Sequence, residues 1–238
     1  HYIAGATETP MNRPFVFINA AMTVDGKIST VERRQVRIST PADMKRVDWL
    51  RASADAIMVG GQTLLRDDPS LTIKSEALRA LRVRAGRPEN PIKVGVSTRA
   101  ELRDDSDFLS AGEATKIIFT TQQADPETVH RLRSWAEVHI LGEREVNLEA
   151  ALSLLWHRGV RRLMVEGGGT LNFGLLSLGL VDELYVQVGP LIFGGEDAPT
   201  LVEGVGLAYA EALRPELLDA ERLQDGGVVL RYRLGRRE

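Results

Sequence analysis

The sequence predicts an α/β protein built on a mixed, mostly parallel sheet. Three observations support this: short apolar, β-branched runs recur, helical patterns lie between them, and after Leu180 the pattern changes to strands joined by glycine-containing turns. Continuous apolar runs are typical of strands covered on both faces. We therefore expect three layers, with helices on both sides of the sheet and antiparallel strands at the C-terminal end.

Six apolar runs are predicted as the strands of the parallel part of the sheet. They are FVFINAA (15–21), AIMVG (56–60), IKVGV (92–96), KIIFTT (116–121), EVHIL (137–141) and RLMVE (162–166). The segments DELYVQVGPLIFGG (182–195) and ELLDAERLQDGGVVLRYRL (216–234) predict the later strands.

Two helices have clear boundary signals. Thr40 is a predicted N-cap followed by Pro41, and apolar residues then recur at helical spacing. The second helix is predicted to begin at Asn147 and to stop at Gly159. The polar stretch 82–91 is the best candidate for a linker, but it lies between two strands of the same predicted sheet. We therefore predict one domain over residues 14–238, preceded by a flexible extension over residues 1–13.

Composition excludes several classes of function. The 238 residues include no cysteine, which removes disulfides, thiol nucleophiles and cysteine-containing zinc sites; no metal site is predicted. The net charge is −3 and the basic residues are dispersed, which argues against nucleic-acid binding. No apolar run approaches the roughly 18 residues of a membrane helix. We expect a soluble, cytoplasmic protein without a membrane partner.

Three consecutive glycines follow one of the predicted buried strands. In LMVEGGGTLNFG (163–174) the strand runs into Gly167, Gly168 and Gly169, and a helix is predicted to begin near Thr170. A strand, a glycine turn and a helix N-terminus bring unpaired N–H groups together, an arrangement suited to phosphate. The spacing differs from a dinucleotide fingerprint because Asn172 occupies the third glycine position. A tight turn required only for packing is the alternative interpretation.

Two further segments are predicted to meet at the same edge of the sheet. MVGGQTLLRDDPSLT (58–72) follows another buried strand, and AAMTVDGKIST (20–30) follows the first strand. Open α/β sheets bind ligands at the carboxyl ends of their strands, so a shared crevice is expected. Asp25 and Gly26 alone are also consistent with a hairpin turn, which would leave Lys27 as a surface charge. Arg33, Arg34 and Arg37 follow in a basic loop, either solvated or able to clamp an anion.

Together these motifs resemble the pyrimidine reductases of riboflavin biosynthesis, which act on 2,5-diamino-6-ribosylamino-4(3H)-pyrimidinone 5′-phosphate. The resemblance is strongest to the stand-alone archaeal and fungal form and covers the chain from Pro14 onward. It rests on MTVDGKIST, DAIMVGGQTLLRDDPSLT, VEGGGTLNFGLLSLGLVDELYV and PLIFGGEDAPT, in that order. The bacterial bifunctional form also carries a deaminase domain with a cysteine-containing zinc signature. Since this sequence contains no cysteine, we expect no deaminase activity.

The resemblance implies a dihydrofolate-reductase-like fold, a homodimer and an NADPH-dependent reaction, with NADH as an alternative cofactor. It also implies site residues at matching positions. The cofactor-binding positions are Ala21, Thr63, Asp67, Thr98, Gly167, Gly168, Gly169 and Thr170, and the substrate-side positions are Lys27, Gln35, Arg51, Leu71, Lys74 and Glu166.

Several of these residues also have a purely structural interpretation. Arg51 and Asp55 are spaced as an i,i+4 helix pair, which typically contributes a few tenths of a kcal/mol. Asp67 and Asp68 precede Pro69 and could serve only as turn formers. Glu166 is harder to explain in this way, because a carboxylate at the end of a buried strand needs a partner or a function.

The implied reaction assigns catalytic roles to Glu166 and Lys27. The ribosylamine ring of the substrate opens to an imine at C1′, and hydride transfer to that carbon gives the ribitylamino product. We expect Glu166 to stabilise the cationic imine and Lys27 to bind the sugar oxygens and assist ring opening. Lys74, with Arg51 or Arg34, is expected to hold the 5′-phosphate. Arg99 is a candidate for recognition of the 2′-phosphate of NADPH.

Two other functions fit the same scaffold. One is dihydrofolate reductase activity, although the corresponding region of this chain is polar and basic where a flat apolar slot is expected. The other is a regulatory module that binds the nucleotide without turnover. Activity towards dihydrofolate, or cofactor binding without oxidation, would distinguish them.

Overall fold

The computed structural model describes residues 12–33 and 36–235. Nine strands form one sheet: β1 (Phe15–Thr23), β2 (Ala56–Gly60), β3 (Ile92–Val96), β4 (Lys116–Thr120), β5 (Glu137–Ile140), β6 (Arg162–Val165), β7 (Glu183–Gly189), β8 (Glu216–Arg222) and β9 (Val228–Arg233). The helices are α1 (Pro41–Ser53), α2 (Gly61–Arg66), α3 (Glu76–Arg84), α4 (Asp107–Ser110), α5 (Pro126–Leu132), α6 (Leu148–His157) and α7 (Gly169–Ser177), and one 3₁₀ turn spans Tyr209–Glu211.

The strand order is β5-β4-β3-β2-β6-β1-β7-β9-β8, with β1 to β7 parallel and β8 and β9 antiparallel to their neighbours. The mixed, mostly parallel sheet is therefore confirmed. Fewer strands pair antiparallel than predicted. The strand β7 pairs parallel with β1 on one side and antiparallel with β9 on the other. The segment PLIFGG (190–195), predicted with these strands, follows β7 as a loop.

Two apolar layers cover the sheet and confirm the three-layer arrangement. One packs α6 and α7 against it, through residues such as Leu152 and Leu175. The other packs α1, α2, α4 and α5 against the opposite face, with Leu50, Phe108 and Leu132 in its interior. The strands β2 and β6 are fully or almost fully buried, as their uninterrupted apolar sequences predict.

Local capping signals set the helix boundaries. The Thr40 hydroxyl accepts from the Asp43 N–H at 3.3 Å, and Asn147 Oδ1 accepts from the Ala150 N–H at 2.9 Å, as predicted. Asp225 of the β8–β9 turn adds a second cap to α1, because its carboxylate accepts from the Ala42 N–H. This hydrogen bond and that of Thr40 lower the pKa of Asp225.

The polar stretch 82–91 is part of the domain rather than a linker. The Arg82 side chain is buried, and its guanidinium donates to the carbonyls of Ala52, Ala54 and Pro88. Burial is the largest influence on this group and lowers the pKa of Arg82 to about 10. The end of α1 is thereby tied to the loop that follows α3.

Residues 1–11, most of the predicted extension, lie outside the described residues, whereas Arg13 donates to both carboxylate oxygens of Asp182. None of the helices within the described part of the chain is long and apolar enough to cross a membrane.

Candidate active site

A cleft of about 760 Å³ lies at the carboxyl ends of the adjacent strands β1, β2 and β6. The three motif segments meet there, as the strand-end argument predicts. Eight of the predicted site residues line it: Ala21, Arg51, Thr63, Asp67, Lys74, Glu166, Gly167 and Gly168. A smaller cavity of about 320 Å³, beside Arg13 and Glu149, has none of the predicted site residues among its described lining residues.

The three glycines after β6 meet three different requirements. Gly167 has φ +84°, a left-handed conformation that favours glycine, and its carbonyl accepts from the Gly60 N–H at 2.7 Å. A Cβ at Gly168 would lie 3.2 Å from Thr63 Oγ1, and a Cβ at Gly169 only 2.6 Å from the Thr200 carbonyl. The packing interpretation therefore accounts for Gly169, whereas Gly167 and Gly168 line the cleft.

The helix α7 begins directly after these glycines and has no side-chain cap. Its first-turn N–H groups are consequently available to a ligand rather than to a residue of its own N-cap. Thr170 is exposed in this first turn. The peptide bond between Gly167 and Gly168 is cis. The arrangement fits a phosphate-bearing ligand at this end of the cleft.

Glu166 and Arg51 form a two-bond ion pair in the cleft. Arg51 Nε lies 2.7 Å from Oε1 and Nη2 lies 2.8 Å from Oε2, while Nη1 donates to the Thr72 carbonyl at 2.9 Å. Burial would lower the pKa of Arg51, but the Glu166 carboxylate more than offsets this and the pKa lies above its usual value. The i,i+4 interpretation of Arg51 is wrong, because Asp55 pairs instead with Arg87 at 2.7 Å.

Lys74 lies at the same end of the cleft as Arg51 and Glu166, and its side chain is held by neutral partners. Its Nζ donates to Ser70 Oγ at 3.0 Å and to Thr72 Oγ1 at 3.1 Å. The buried Asp48 carboxylate accepts from the backbone N–H groups of Lys74 and Ser75, both at 2.7 Å. Asp48 thus fixes the backbone that presents the ammonium group, whose hydrogen-bond partners within the described residues are two hydroxyls. The group is suited to binding an anion.

The two neighbouring aspartates, Asp67 and Asp68, have different surroundings. Asp67 lines the cleft, and burial raises its pKa, opposed by the nearby Arg66. Asp68 has φ +42°, and its carboxylate accepts from the N–H groups of Asp107 and Phe108 at the start of α4. The turn-former interpretation therefore applies to Asp68, while Asp67 is available to a ligand.

Asp25 and Gly26 form the tight turn that the sequence offered as an alternative, with Gly26 at φ +81°. The Asp25 carboxylate accepts from Thr23 Oγ1 at 2.5 Å and from the Gly194 N–H at 2.6 Å; these bonds lower its pKa to about 2. The adjacent Lys27 directs its Nζ to the Ala198 carbonyl at 3.2 Å. Its neighbour Ile28 lines the cleft, whereas the described wall of the cleft does not include Lys27.

The remaining predicted residues lie near the cleft or outside the description. Leu71 is completely buried, backbone included, at φ +50° and is not among the described residues that line the cleft. Thr98 is exposed after β3, and its carbonyl accepts from the hydroxyls of Thr120 and Thr121. Gln35 and Arg34 lie outside the described residues.

Two buried polar residues on helices that line the cleft were missed by sequence reasoning. Asp48 and Asn172 both line it and are almost completely buried. Each is a polar residue inside a predicted helix, and Asn172 interrupts the apolar pattern TLNFGLL. A lone amide on an apolar helix face was the available signal. Among the described residues, no group of three or more His, Asp or Glu side chains is placed to hold a metal ion.

The comparisons with known proteins agree on one family. The chain is 46% identical over 217 residues to a 2,5-diamino-6-ribosylamino-4(3H)-pyrimidinone 5′-phosphate reductase of Archaeoglobus fulgidus, covering 91% of this chain and 97% of the relative. A reductase of the same name from Methanothermobacter thermautotrophicus is 45% identical over 218 residues, again covering 91% and 97%.

A solved pyrimidine reductase-like protein from Corynebacterium diphtheriae has the same fold, with a TM-score of 0.83 at 22% identity, covering 97% of this chain and 96% of that one. The model of the RibD C-terminal domain matches residues 14–229. This chain therefore belongs to the RibD C-terminal domain family.

Proposed function

We propose that this chain reduces the ribosylamino side chain of 2,5-diamino-6-ribosylamino-4(3H)-pyrimidinone 5′-phosphate to the ribitylamino form, with NADPH as the reductant. Membership of the family, together with 46% identity to a named reductase, makes the chain an oxidoreductase of riboflavin biosynthesis. The observation that carries the more specific proposal is the cleft itself. One end is lined by glycine backbone, and the other by Arg51, Glu166 and Lys74.

The glycine end has the features that a nicotinamide dinucleotide requires. Gly168 lines the cleft beside Thr63, and a Cβ at this position would lie 3.2 Å from Thr63 Oγ1. The uncapped N-terminus of α7 favours a phosphate. When bound, the reduced nicotinamide supplies the hydride. We assign its binding to Ala21, Thr63, Asp67, Thr98, Gly167, Gly168 and Thr170, and to the backbone N–H of Gly169, whose missing side chain is explained by packing.

The charged end is assigned to the substrate. Lys74 binds the 5′-phosphate, since its ammonium group is positioned by the hydroxyls of Ser70 and Thr72 and has no carboxylate partner in the described part of the chain. Gln35 and Arg51 complete the substrate side.

Glu166 stabilises the positive charge of the ring-opened imine of the substrate. An ionised carboxylate offers about four acceptor positions, and Arg51 uses only two of them. Arg51 thereby holds the carboxylate in place. Lys27 assists opening of the sugar ring, which requires its ammonium group to leave the Ala198 carbonyl and enter the cleft.

The deciding experiment follows the loss of NADPH absorbance with the pyrimidine phosphate generated in situ, beside dihydrofolate and a blank without substrate. We expect rapid oxidation with the pyrimidine alone. Oxidation only with dihydrofolate would show that dihydrofolate, and not the pyrimidine, is the substrate. NADPH binding without any oxidation would favour a regulatory module. Repeating the assay with NADH, in the wild type and in Arg99→Ala, tests recognition of the 2′-phosphate. If the ratio of the KM values for NADH and NADPH is the same in both proteins, Arg99 does not recognise the 2′-phosphate.

We also propose a homodimer. The outer strand β8 is exposed along almost its whole length, and Ile192, Val205 and Tyr209 expose 75%, 96% and 84% of their surface. Exposed strand edges and apolar patches are features that proteins commonly cover by association. Sedimentation velocity on the purified protein tests this: a single species with the mass of one chain would contradict it.

A further inference from the structure

The loop at 70–75 is attached to helix α1 by two side chains of that helix. Asp48 is 9% exposed, and its two carboxylate oxygens accept from the backbone N–H groups of Lys74 and Ser75, both at 2.7 Å. One turn later in α1, Arg51 Nη1 donates to a carbonyl of the same loop at 2.9 Å. The loop is therefore held through its N–H groups by a carboxylate and through a carbonyl by a guanidinium.

Both oxygens of the Asp48 carboxylate are used by the loop. A carboxylate is costly to bury unless groups donate to it, and here the donors are the backbone N–H groups of residues 74 and 75. The loop cannot move away from α1 without leaving Asp48 unsatisfied. The Lys74 ammonium group, which donates to Ser70 and Thr72 within the same loop, is fixed together with it.

Asp48 also acts on the charged pair beside the loop. Arg51 Nε and Nη2 lie 2.7 and 2.8 Å from the two carboxylate oxygens of Glu166. Burial lowers the pKa of Arg51, but the carboxylates of Glu166 and Asp48 raise it, and the pKa lies above its usual value. One helix thus fixes both the ammonium group assigned to the 5′-phosphate and the carboxylate assigned to the imine.

We propose that Asp48 is the positioning residue through which this protein selects the 5′-phosphorylated substrate over its unphosphorylated form. Asp48 acts through the Lys74 backbone and does not itself contact the substrate, because both of its oxygens are already occupied. A substrate bound at the ammonium group and at Glu166 is oriented for reaction, and the orientation is lost if the loop moves. This inference rests on the proposed function, because it takes Lys74 as the phosphate-binding group.

The test compares the pyrimidine phosphate with the same pyrimidine after its phosphate has been removed by a phosphatase. Oxidation of NADPH gives kcat and KM for both forms. Asp48→Asn keeps the size of the side chain, but its NH₂ group cannot accept, so one backbone N–H of the loop loses its partner. We expect the KM of the phosphorylated form to rise about fivefold. Its kcat, and both constants of the unphosphorylated form, should change by less than about twofold.

The double variant with Lys74→Ala separates positioning from a general structural role. If Asp48 acts through Lys74, adding Asp48→Asn to Lys74→Ala should raise the KM no further, whereas a general loss of structure would add its own effect. The matched control is Asp43→Asn, which removes another buried carboxylate of α1, one that pairs with Arg46 and not with the loop. This control should retain the wild-type preference for the phosphorylated form.

A second variant is used if Asp48→Asn does not fold, which thermal unfolding and NADPH binding establish. Asp48→Glu keeps the ionised carboxylate but moves its oxygens by one methylene group, so the preference for the phosphorylated form should fall about threefold.

The outcomes separate this inference from the proposed function. An unchanged preference in the Asp48 variants, an equal loss for both forms of the pyrimidine, or additive losses in the double variant would overturn the role of Asp48 while the proposed function stands. A wild-type protein that reduces both forms equally well would do the same. A wild-type protein that oxidises NADPH with neither form overturns the proposed function and this inference with it. A loss confined to the phosphorylated form and absent from the Lys74→Ala background supports the inference.

Discussion

The two ends of the cleft are built by different means. At the glycine end, defined here as Gly60, Gly167, Gly168 and Thr63, the shape comes from close backbone packing, and the Gly60 N–H bonds directly to the Gly167 carbonyl. At the charged end, Arg51, Glu166, Lys74 and Asp48 are joined by hydrogen bonds of 2.7 to 3.1 Å to one another or to nearby groups.

This difference indicates how each end responds to change. The packed backbone at the glycine end leaves little room for an added atom, so added volume there should weaken ligand binding. The charged end depends on paired groups, so removing one charge leaves its partner unsatisfied in a partly buried site. Substitutions at the two ends should therefore change different kinetic constants.

The largest expected effect is that of Glu166→Gln. A neutral amide cannot stabilise a cationic imine and forms a weaker interaction with Arg51, so kcat should fall about 100-fold or more. The dissociation constant of NADPH should change by less than about threefold. Steady-state oxidation of NADPH and fluorescence titration measure the two quantities.

The matched control for this change is Glu89→Gln, which removes a carboxylate paired with Arg79 at 2.7 Å on the surface. It should leave kcat unchanged. A Glu166→Gln variant with wild-type kcat would show that the charged end does not act in the reaction.

Gly168→Ala tests the opposite end of the cleft. Gly168 has φ −70°, which alanine adopts without strain, so the substitution adds only a methyl group 3.2 Å from Thr63 Oγ1. The dissociation constant of NADPH should rise about tenfold, while the KM of the pyrimidine changes little. Gly235→Ala, where nothing lies within 4 Å of the added carbon, serves as the control. Equal NADPH affinity in both variants would contradict a close approach of ligand at Gly168.

Lys74→Ala should act on the substrate alone. Removing the ammonium group should raise the KM of the phosphorylated pyrimidine about tenfold, the effect of losing a charge-assisted hydrogen bond. Lys45→Ala is the comparison, since Lys45 is exposed but also lines the cleft. The assignment fails if Lys74→Ala and Lys45→Ala have the same KM, or if the Lys74 variant loses affinity for NADPH instead.

The smallest expected effect is a pH dependence at the glycine end. Burial raises the pKa of Asp67, so its carboxylate takes up a proton at a higher pH than an exposed aspartate does. If the carboxylate accepts from a hydroxyl of the cofactor, protonation removes that acceptor. The dissociation constant of NADPH should then rise about threefold as the pH is lowered from neutrality through that pKa.

Asp67→Asn should remove this pH dependence, and Asp219→Asn, at an exposed position on β8, should retain it. A wild-type affinity that is constant or improves on acidification would exclude the carboxylate as an acceptor for the cofactor.

Much of the fold was predictable because its signals are local. All six predicted parallel strands are present, within two residues of their predicted ends, and the caps at Thr40 and Asn147 form as expected. Burial on both faces requires apolar residues at successive positions, and a cap joins groups three residues apart. The short helices α2, α4 and α5 were not predicted, since a helix of four to seven residues has too few positions to display a periodicity.

The site was only partly predictable, because its contacts join residues that are far apart in the sequence. The sequence identified the residue types at the strand ends and the motifs that carry the family resemblance. It did not pair Arg51 with Glu166, which are 115 residues apart, or reveal that Asp48 holds the Lys74 backbone. It also left open whether the three glycines serve packing or a ligand, a question that the Thr200 carbonyl beside Gly169 answers for one of them.

The sequence by itself determined the strands, the capped helices, the glycine turn after β6 and the family, because these depend on neighbouring residues and on motifs read in order. Only the tertiary structure decided which charges meet, which carboxylates already have partners, and that the Asn172 amide donates to the Leu201 carbonyl. Those contacts join β6, α1 and the loop at 196–204, and the register of distant segments is set by packing of the whole sheet rather than by any local pattern.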